Sequence, residues 1–175
     1  MIFKGLKANS IKKQTESALS KRDRSRVEIG KLKSLGILMD ATNELNIMSL
    51  VKIADALGVR SNYMQILGYK EEYREKDGKL GEANYFGEKS ISTTGTVRSS
   101  FLKDFIAKDF DILIGFYQED HSILNFVAAA SRAKMKVGYG QVDNRINDLI
   151  IQTPSTDTDV FISELKKYLQ ILKII

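Results

Sequence analysis

The sequence predicts an α/β domain with an open, doubly wound and mainly parallel sheet of five or six strands, helices on both faces, and a basic helix in front. Short apolar segments alternate with amphipathic ones from residue 35 onward, which is typical of parallel strands joined by crossover helices. Residues 110–117 are apolar almost throughout, as in a central strand covered on both faces. The length of 175 residues and the 43% hydrophobic content suit one globular domain.

The individual elements follow from apolar periodicity and from breaking residues. We predict strands at residues 35–39, 61–69, 84–92, 110–117, 136–139 and 148–152. We predict helices in the first 26 residues and at residues 43–57, 97–108, 122–133 and 157–174. Gly58 ends the helix before it, and Pro154 separates the last strand from the last helix. Residues 70–82 are polar, which predicts a loop or a short exposed helix.

Charge is distributed unevenly along the chain. Residues 1–33 carry ten lysines and arginines against three acidic residues, whereas the remaining residues carry 17 basic and 19 acidic ones. We therefore divide the chain into a basic helical arm, residues 1–33, and a Rossmann-like α/β domain, residues 34–175, which we expect to fold without the arm. Eight basic residues of the arm are candidates for binding an anion or RNA: Lys4, Lys7, Lys12, Lys13, Lys21, Arg22, Arg24 and Arg26.

This basic arm predicts a binding module rather than an enzyme. A surplus of seven positive charges in 33 residues is larger than solubility requires. We interpret the arm as docking on an anionic macromolecule, with RNA or a ribonucleoprotein favoured. Two other readings stay open: the arm is a solvated face, or it lies on an anionic membrane surface. Its apolar stripe of Ile2, Phe3 and Leu6 is short for the membrane role.

The composition excludes several kinds of site. The absence of cysteine rules out disulfides, thiolate zinc sites and cysteine nucleophiles. A single histidine and carboxylates without metal-site spacing predict no metal, and the lack of a glycine-rich phosphate loop predicts no nucleotide cofactor. We expect a cytoplasmic protein, since no segment is apolar over the roughly 20 residues that span a bilayer and residues 1–10 do not resemble a signal peptide.

An alternative interpretation is an enzyme or small-ligand binder with its site at the ends of strands, because open α/β sheets bind ligands beyond their carboxyl ends. The candidates are Asp40, after the first strand, and Glu119, Asp120 and His121, after the strand at 110–117. A carboxylate beside an imidazole suits acid–base chemistry. The interpretation that we favour is that these loops cap helices, through Asp40 or Asn43 in one case and Asp120 or Ser122 in the other.

Two further segments contain small residues that would let a ligand approach the backbone. Residues 93–96 read Thr-Thr-Gly-Thr and are candidates for holding a phosphate, whereas residues 138–140 read Gly-Tyr-Gly and are candidates for a close ligand contact. We favour a turn with a helix cap for the first segment and a strand-end turn for the second.

Residues 109–139 contain the strand Asp-Phe-Asp-Ile-Leu-Ile-Gly-Phe-Tyr, an alanine-rich helix and the closing sequence Lys-Val-Gly-Tyr. This arrangement resembles the heptosyltransferase family (glycosyltransferase family 9), in which a similar strand leads through a small-residue helix into Arg-(Ile/Val)-Gly-Tyr. The resemblance covers about a fifth of the chain and implies the fold of that family's N-terminal half-domain. Asp40 falls where the family has an aspartate after its first strand, but the surrounding Gly-Asp pattern is missing here. The family's enzymes use a second nucleotide-sugar domain, so the resemblance does not imply their activity.

Overall fold

A computed structural model describes residues 2–24, 28–42, 47–73, 83–153 and 157–175. The strands are β1 (Leu35–Asp40), β2 (Met64–Tyr69), β3 (Ala83–Phe86), β4 (Ile112–Phe116), β5 (Met135–Tyr139) and β6 (Leu149–Ile151). The helices are α1 (Ile2–Lys21), α2 (Ile47–Ala56), α3 (Ser100–Ala107), α4 (Ser122–Ala130) and α5 (Thr158–Ile171). The six strands form one sheet in the order β3-β2-β1-β4-β5-β6, and every pairing between neighbours is parallel. The predicted doubly wound α/β fold is therefore confirmed.

Two apolar layers enclose the sheet, one on each face. The helices α2 and α5 cover the face that carries Ile37, Met39 and Ile114. The helices α1, α3 and α4 contribute to the layer that carries Leu38 and Leu113. Alternate residues of one strand enter opposite layers because side chains alternate across a pleated strand. The strand order reverses between β1 and β4, so the switch point of the fold lies between these two strands.

The basic helix α1 packs against the body of the protein. Ile11 is only 2% exposed and belongs to the same apolar layer as α4. Thr15 is also buried, and its hydroxyl donates to the carbonyl oxygen of Ile11 at 2.9 Å. The seven residues 123–129 of α4 are all buried, which requires a cover on the side of α4 that faces away from the sheet. The helix α1, which packs against α4, supplies part of that cover.

Contacts beside the two outermost strands, β3 and β6, hold α1 in place. Lys7 donates to the backbone carbonyl of Glu88, just beyond edge strand β3. Fifteen residues later, Arg22 donates to the carboxylate of Asp148, just before edge strand β6. A helix rises about 1.5 Å per residue, so this stretch spans about 22 Å. Six strands at about 4.8 Å spacing are about 24 Å wide. The length of α1 thus matches the width of the sheet that it crosses.

Several elements are shorter than the sequence predicts. The predicted strand 61–69 begins only at Met64, because residues 61–63 form a short 3-10 turn. The predicted strand 84–92 ends at Phe86, and a second 3-10 turn follows at residues 88–90. The predicted helix 97–108 begins at Ser100, because the side chain of Ser99 caps it by accepting from the N–H of Leu102. Most of the predicted loop 70–82 lies outside the described residues.

Candidate functional site

The carboxyl edge of the sheet holds the acid–base candidates of the sequence, beginning with Asp40. Its Oδ1 accepts the backbone N–H of Thr42 at 2.9 Å, which closes a turn directly after β1. Asp40 thus orders the loop after β1, and the described part of α2 begins at Ile47. Asn43, the other predicted cap, lies outside the described residues.

Asp120 is engaged by a buried asparagine. The side-chain amide of Asn125 donates to Asp120 at 2.6 Å, and the amide oxygen of Asn125 accepts the hydroxyl of Tyr117 at 3.1 Å. Burial, followed by the nearby carboxylates of Asp120 and Asp143, raises the pKa of Tyr117. Tyr117 is therefore a neutral hydrogen-bond donor that holds the loop after β4 against α4.

His121 is the residue that caps α4, in place of the predicted Asp120 or Ser122. Its Nδ1 accepts the backbone N–H of Leu124 at 3.4 Å. The ring also packs on Tyr69 of β2, with 4.6 Å between ring centroids. The prediction that Asp120 or Ser122 caps this helix is therefore wrong, because the residue between them provides the cap. Glu119, the remaining candidate, is exposed.

Aromatic side chains occupy the switch point on both faces of the sheet. On the α4 side, burial raises the pKa of Tyr69 to about 12, with a further contribution from the carboxylates of Glu88, Glu71 and Asp40. On the α5 side, Phe116 meets Tyr139 and Phe161 at centroid distances of 5.6 Å and 5.3 Å. Open α/β folds bind their ligands in a crevice at this position. Among the described residues, the carboxylates of Glu88, Glu71 and Asp40 lie near Tyr69 at this position and would repel an anionic ligand.

The two small-residue segments serve packing and turn formation. The Ser92 hydroxyl accepts the N–H of Thr96 at 3.0 Å within a tight turn. Gly95 has φ +80°, and a Cβ at this position would approach the Ser10 carbonyl of α1 at 3.3 Å. A Cβ at Gly138 would lie 2.5 Å from the Nδ2 atom of Asn147. The turn that we favoured at residues 93–96 is present and packs against α1, but the helix cap predicted there lies at Ser99 instead.

The amino edge of the sheet is the side on which the parallel strands begin. Asp111, which precedes β4, connects three loops at this edge. Its Oδ2 accepts the N–H groups of Lys33 and Ser34 at 2.9 Å and 3.0 Å, and its Oδ1 accepts Lys134 at 2.7 Å. Burial opposes ionisation of Asp111, but these hydrogen bonds outweigh it and lower the pKa of the carboxyl group. The loops before β1, β4 and β5 are thereby held together.

Exposed basic side chains accumulate at this amino edge. Loops that precede strands carry Lys31, Lys33, Arg60, Arg132 and Lys134, and the end of α1 adds Lys21 and Arg24. Arg132 and Lys134 pair with Asp109 and Asp111 at 3.0 Å and 2.7 Å. Among the described residues, the other five have no ion-pair partner within 4.0 Å. We call Lys21, Arg24, Lys31, Lys33 and Arg60 the amino-edge basic surface.

The eight basic residues predicted to bind an anion divide into three groups. Lys12, Lys13, Lys21 and Arg24 are exposed. Lys7 and Arg22 are engaged in the ion pairs that hold α1 on the domain. The side chain of Lys4 and the whole of Arg26 lie outside the described residues. The charge pattern of the sequence places all eight residues on one arm. It does not show which of them are exposed and which are paired, because the partners of Lys7 and Arg22 are distant in sequence.

Tyr63 adds an aromatic surface to the same edge, directly before β2. Its side chain is 46% exposed, and the guanidinium carbon of Arg60 lies 5.2 Å from its ring centroid. An exposed ring beside a guanidinium is a surface on which a nucleobase can stack. The sequence analysis does not predict this residue as a site, since it assigns residues 61–69 to a strand.

Lys136 is a second residue that sequence reasoning missed. It lies in β5 and is 1% exposed, and its Nζ donates to the carbonyl oxygen of Ala129 at 2.7 Å. Burial is the main reason that the pKa of Lys136 falls to about 7. The positive charges of Arg22 and Arg24 lower it further, and Asp148 opposes them. Lys136 is inaccessible to a substrate and acts within the contacts that fix the end of α1.

Other features restrict the chemistry of the described residues. They contain no group of three or more histidine or acidic residues arranged to hold a metal ion. No helix in the described part of the chain combines the length and apolar character needed to cross a bilayer. A family model described as a family of unknown function (DUF6913) matches residues 7–172. No curated protein and no solved structure is significantly similar to the chain, so the resemblance to heptosyltransferases stays a prediction.

Proposed function

The chain belongs to DUF6913, a family of unknown function, and we propose that it is a non-enzymatic module that binds a polyanion, RNA in particular, through the amino-edge basic surface. The observation that carries this proposal is that exposed basic residues lie along the amino edge: Lys31 and Lys33 precede β1, Arg60 precedes the neighbouring β2, and Lys21 and Arg24 lie at the end of α1 beside β6. Phosphate groups bind such surfaces by displacing counterions from the nucleic acid. The proposal includes a cytoplasmic location, which the cysteine-free composition also predicts.

The two edges of the sheet differ in charge. This difference favours polyanion binding at the amino edge over binding in the ligand crevice at the carboxyl edge. Among the described residues, the loops at the carboxyl edge carry seven acidic groups, Asp40, Glu71, Glu72, Glu88, Glu119, Asp120 and Asp143, against four basic ones, Lys70, Lys89, Arg98 and Arg145. A polyanion approaching the protein is therefore repelled at one edge and attracted at the other. This polarity also makes the crevice a poor site for a nucleotide sugar.

The attachment of α1 to the domain presents part of the surface in a fixed arrangement. Arg22 joins the C-terminal end of α1 to Asp148, and the neighbouring Lys21 and Arg24 remain exposed. Charges on a fixed helix have their relative positions set before binding. They therefore lose less conformational entropy on binding than charges on a flexible tail. We therefore expect binding by a preformed surface.

RNA is favoured over other polyanions because Tyr63 lies beside Arg60 at the same edge. Stacking on an aromatic ring is available to nucleobases and not to the headgroups of an anionic membrane. The backbone contacts would position the strand without reading its sequence. The expected activity is thus binding of single-stranded RNA with little sequence preference.

The test is a salt titration of fluorescent single-stranded RNA with three proteins. If the five groups each contact one phosphate, the log–log slope for the wild type is about −3.5. Replacing Lys21, Arg24 and Lys33 by glutamine should flatten the slope by about 2 and weaken binding to every sequence alike. The matched control replaces Lys52, Lys89 and Lys103 by glutamine, since these exposed lysines lie on α2, at the carboxyl edge and on α3.

Three outcomes would reject the proposal. One is equal binding by the wild type and the amino-edge variant at low salt. Another is the same loss in the control variant, because net charge alone would then explain the binding. The third is binding to vesicles that contain anionic lipid, without binding to RNA, which would favour the membrane-surface alternative instead.

A further inference from the structure

The apolar surface of α5 and its C-terminal cap is wider than the part that the domain covers. Phe161, Leu165 and Leu169 are fully buried against the sheet. A second group follows at roughly helical spacing on exposed positions: Val160 at 40%, Tyr168 at 38%, Ile171 at 66% and Leu172 at 52% exposure. One apolar stripe suffices to attach a surface helix to a domain. Exposed apolar residues at positions i, i+3 and i+4 are typical of a face that packs on another helix.

The charges along α5 change sign between its two ends. The first half carries Asp159 and Glu164, and the second half carries Lys166 and Lys167, with Lys173 following the helix. A helix of this kind is complementary to an antiparallel copy of itself, because the acidic half of each copy then lies beside the basic half of the other. A two-fold axis generates that arrangement, since it uses the same surface on both subunits.

We propose that the chain forms a two-fold symmetric dimer in which α5 packs antiparallel to α5 of a second copy. An axis near residue 166 places Val160 opposite Leu172 of the second copy. The same axis places Glu164 beside Lys167 of the second copy. The apolar stripe is then covered, and Glu164, which pairs with Lys167 of its own chain at 3.7 Å, gains a second basic neighbour across the axis. A second copy fits this face better than an unrelated acidic or basic protein, which would match only half of the helix.

A recess next to the stripe enlarges the surface available for this contact. It has a volume of about 560 Å³, and its lining combines Ile29, Gly30, Met135, Leu172 and Ile174 with the acidic residues Glu28 and Asp148. A stable interface buries about 800 Å² on each partner, which is more than one short helical stripe supplies. Leu172 belongs to both features, so the recess continues the apolar surface beyond the end of α5.

The recess at the end of α5 borders the amino-edge basic surface, since Gly30 precedes Lys31, whereas the charged positions of α5 used in the test below lie away from it. The helix α5 belongs to the apolar layer on one face of the sheet, whereas α1 belongs to the layer on the other. The inference does not depend on the proposed function, because it rests on the apolar stripe and the charges of α5 alone. Loss of RNA binding and loss of dimerisation can therefore be observed separately.

The decisive experiment uses charge reversal on the full chain. We expect Glu164→Lys and Lys167→Glu each to raise the dissociation constant of the dimer about tenfold or more, because like charges then meet twice across the axis. Mixing the two variants in equal amounts should restore dimers, since the unlike chains pair each reversed charge with an opposite one. Sedimentation equilibrium measures the masses, and a tag on one variant identifies the mixed dimer.

This mixing test separates dimerisation from the stability of the helix. Acidic residues early and basic residues late in a helix also stabilise it through its dipole, but mixing two chains cannot repair a helix that is weakened in each. Ile171→Glu, at the most exposed position of the stripe, should give a monomer with an unchanged unfolding transition. A wild-type mass of one chain up to the solubility limit would overturn the inference. So would a dimer that survives Ile171→Glu, or single variants that fail to form the mixed dimer.

Discussion

The guanidinium of Arg22 is bonded to the carboxylate of Asp148, which lies 126 residues further along the chain. Only 11% and 14% of these two side chains are exposed. Arg22 also donates to the carbonyl oxygen of Ile146 at 2.8 Å, and Asp148 accepts the backbone N–H of Lys136 at 2.8 Å. A cation that charge patterning predicts to contact a polyanion therefore joins the end of α1 to the edge of the sheet.

The first prediction concerns this ion pair. We expect Arg22→Gln to lower the free energy of unfolding by about 2–4 kcal/mol, because it leaves the largely buried carboxylate of Asp148 without its cation. Arg24→Gln, at a neighbouring exposed position, should change stability by less than about 0.5 kcal/mol and should weaken RNA binding instead. Urea unfolding of both variants measures the difference. Equal stabilities would show that the pair does not hold α1.

The second prediction concerns the buried amine of Lys136, whose pKa is about 7 compared with the ordinary 10.5. Between these values the unfolded chain binds more protons than the folded one, so the free energy of unfolding should rise as the pH rises from about 7 towards 10. Below about pH 7 the penalty for burying the charge is fully present. Above pH 10 the raised pKa of Tyr69 acts in the opposite direction, because the unfolded tyrosine ionises first.

The variant Lys136→Met should therefore be more stable than the wild type at pH 7 and should lose most of this rise with pH. The expected gain at pH 7 is of the order of a few kcal/mol, since one pKa unit corresponds to about 1.4 kcal/mol. Lys103→Met, at an exposed position on α3, is the control and should keep the wild-type profile. Parallel profiles for Lys136→Met and the wild type would contradict a lowered pKa. Urea unfolding at several pH values between 6 and 9.5 gives the comparison, within the range that linkage predicts.

The third prediction concerns the apolar contact of α1 with α4. Ile11 is 2% exposed, so Ile11→Ala should lower the free energy of unfolding by about 2–4 kcal/mol. Leu6 lies on the same helix but is 53% exposed, and Leu6→Ala should cost less than about 0.5 kcal/mol. Thermal unfolding measures both variants, and equal effects would show that α1 does not contribute to the core.

The same contact changes the expectation for a chain that lacks residues 1–30. The strand–helix pattern is complete from Leu35 onward and the arm has few apolar residues, which predicts that the domain folds without the arm. The packing of α1 instead leads us to expect a large loss of stability. Removal of α1 uncovers a side of α4 whose residues 123–129 are otherwise all buried. Binding of a hydrophobic dye by the truncated chain, together with a weaker unfolding transition, is the expected result. An unchanged transition would restore the original division into arm and domain.

The fold could be predicted because its signals are local. Apolar runs indicate the strands, and the helices between β1 and β2, β3 and β4, and β4 and β5 predict parallel pairing. The parallel pairings of β2 with β3 and of β5 with β6 do not follow from this pattern, because no described helix joins these strands. The sequence also contains a signal that α4 is covered on more than one side, since residues 123–130 are all apolar apart from Asn125. A helix without a polar face must be buried on more than one side, which predicts a second packing element above it.

The contacts that define the candidate site could not be predicted in the same way. Lys136 stands at the beginning of the predicted strand 136–139, where a lysine is expected to be exposed. The strand actually begins at Met135, and Lys136 meets the carbonyl of Ala129 under α4. The division of the basic residues of α1 into paired and exposed ones depends on Glu88 and Asp148, which only the folded sheet brings to its two edges.

The last prediction separates recognition of RNA from general attraction to a polyanion. Tyr63 is 46% exposed and lies beside Arg60 at the amino edge. Base stacking on an aromatic residue is worth about 1–3 kcal/mol, so Tyr63→Ala should weaken binding to single-stranded RNA about tenfold. Binding to heparin should not change, because heparin carries no bases. The salt dependence on RNA should also keep its slope, since the substitution removes no contact to phosphate.

Tyr63→Phe is the matched control, because it keeps the ring and removes only the hydroxyl group, and it should bind RNA like the wild type. Fluorescence anisotropy at one fixed salt concentration compares the three proteins on both probes. If Tyr63→Ala weakens binding to heparin and RNA equally, the ring supports the fold of the loop before β2 and does not contact a base. If neither probe is affected, the basic surface binds polyanions by charge alone, and the preference for RNA over other polyanions is wrong.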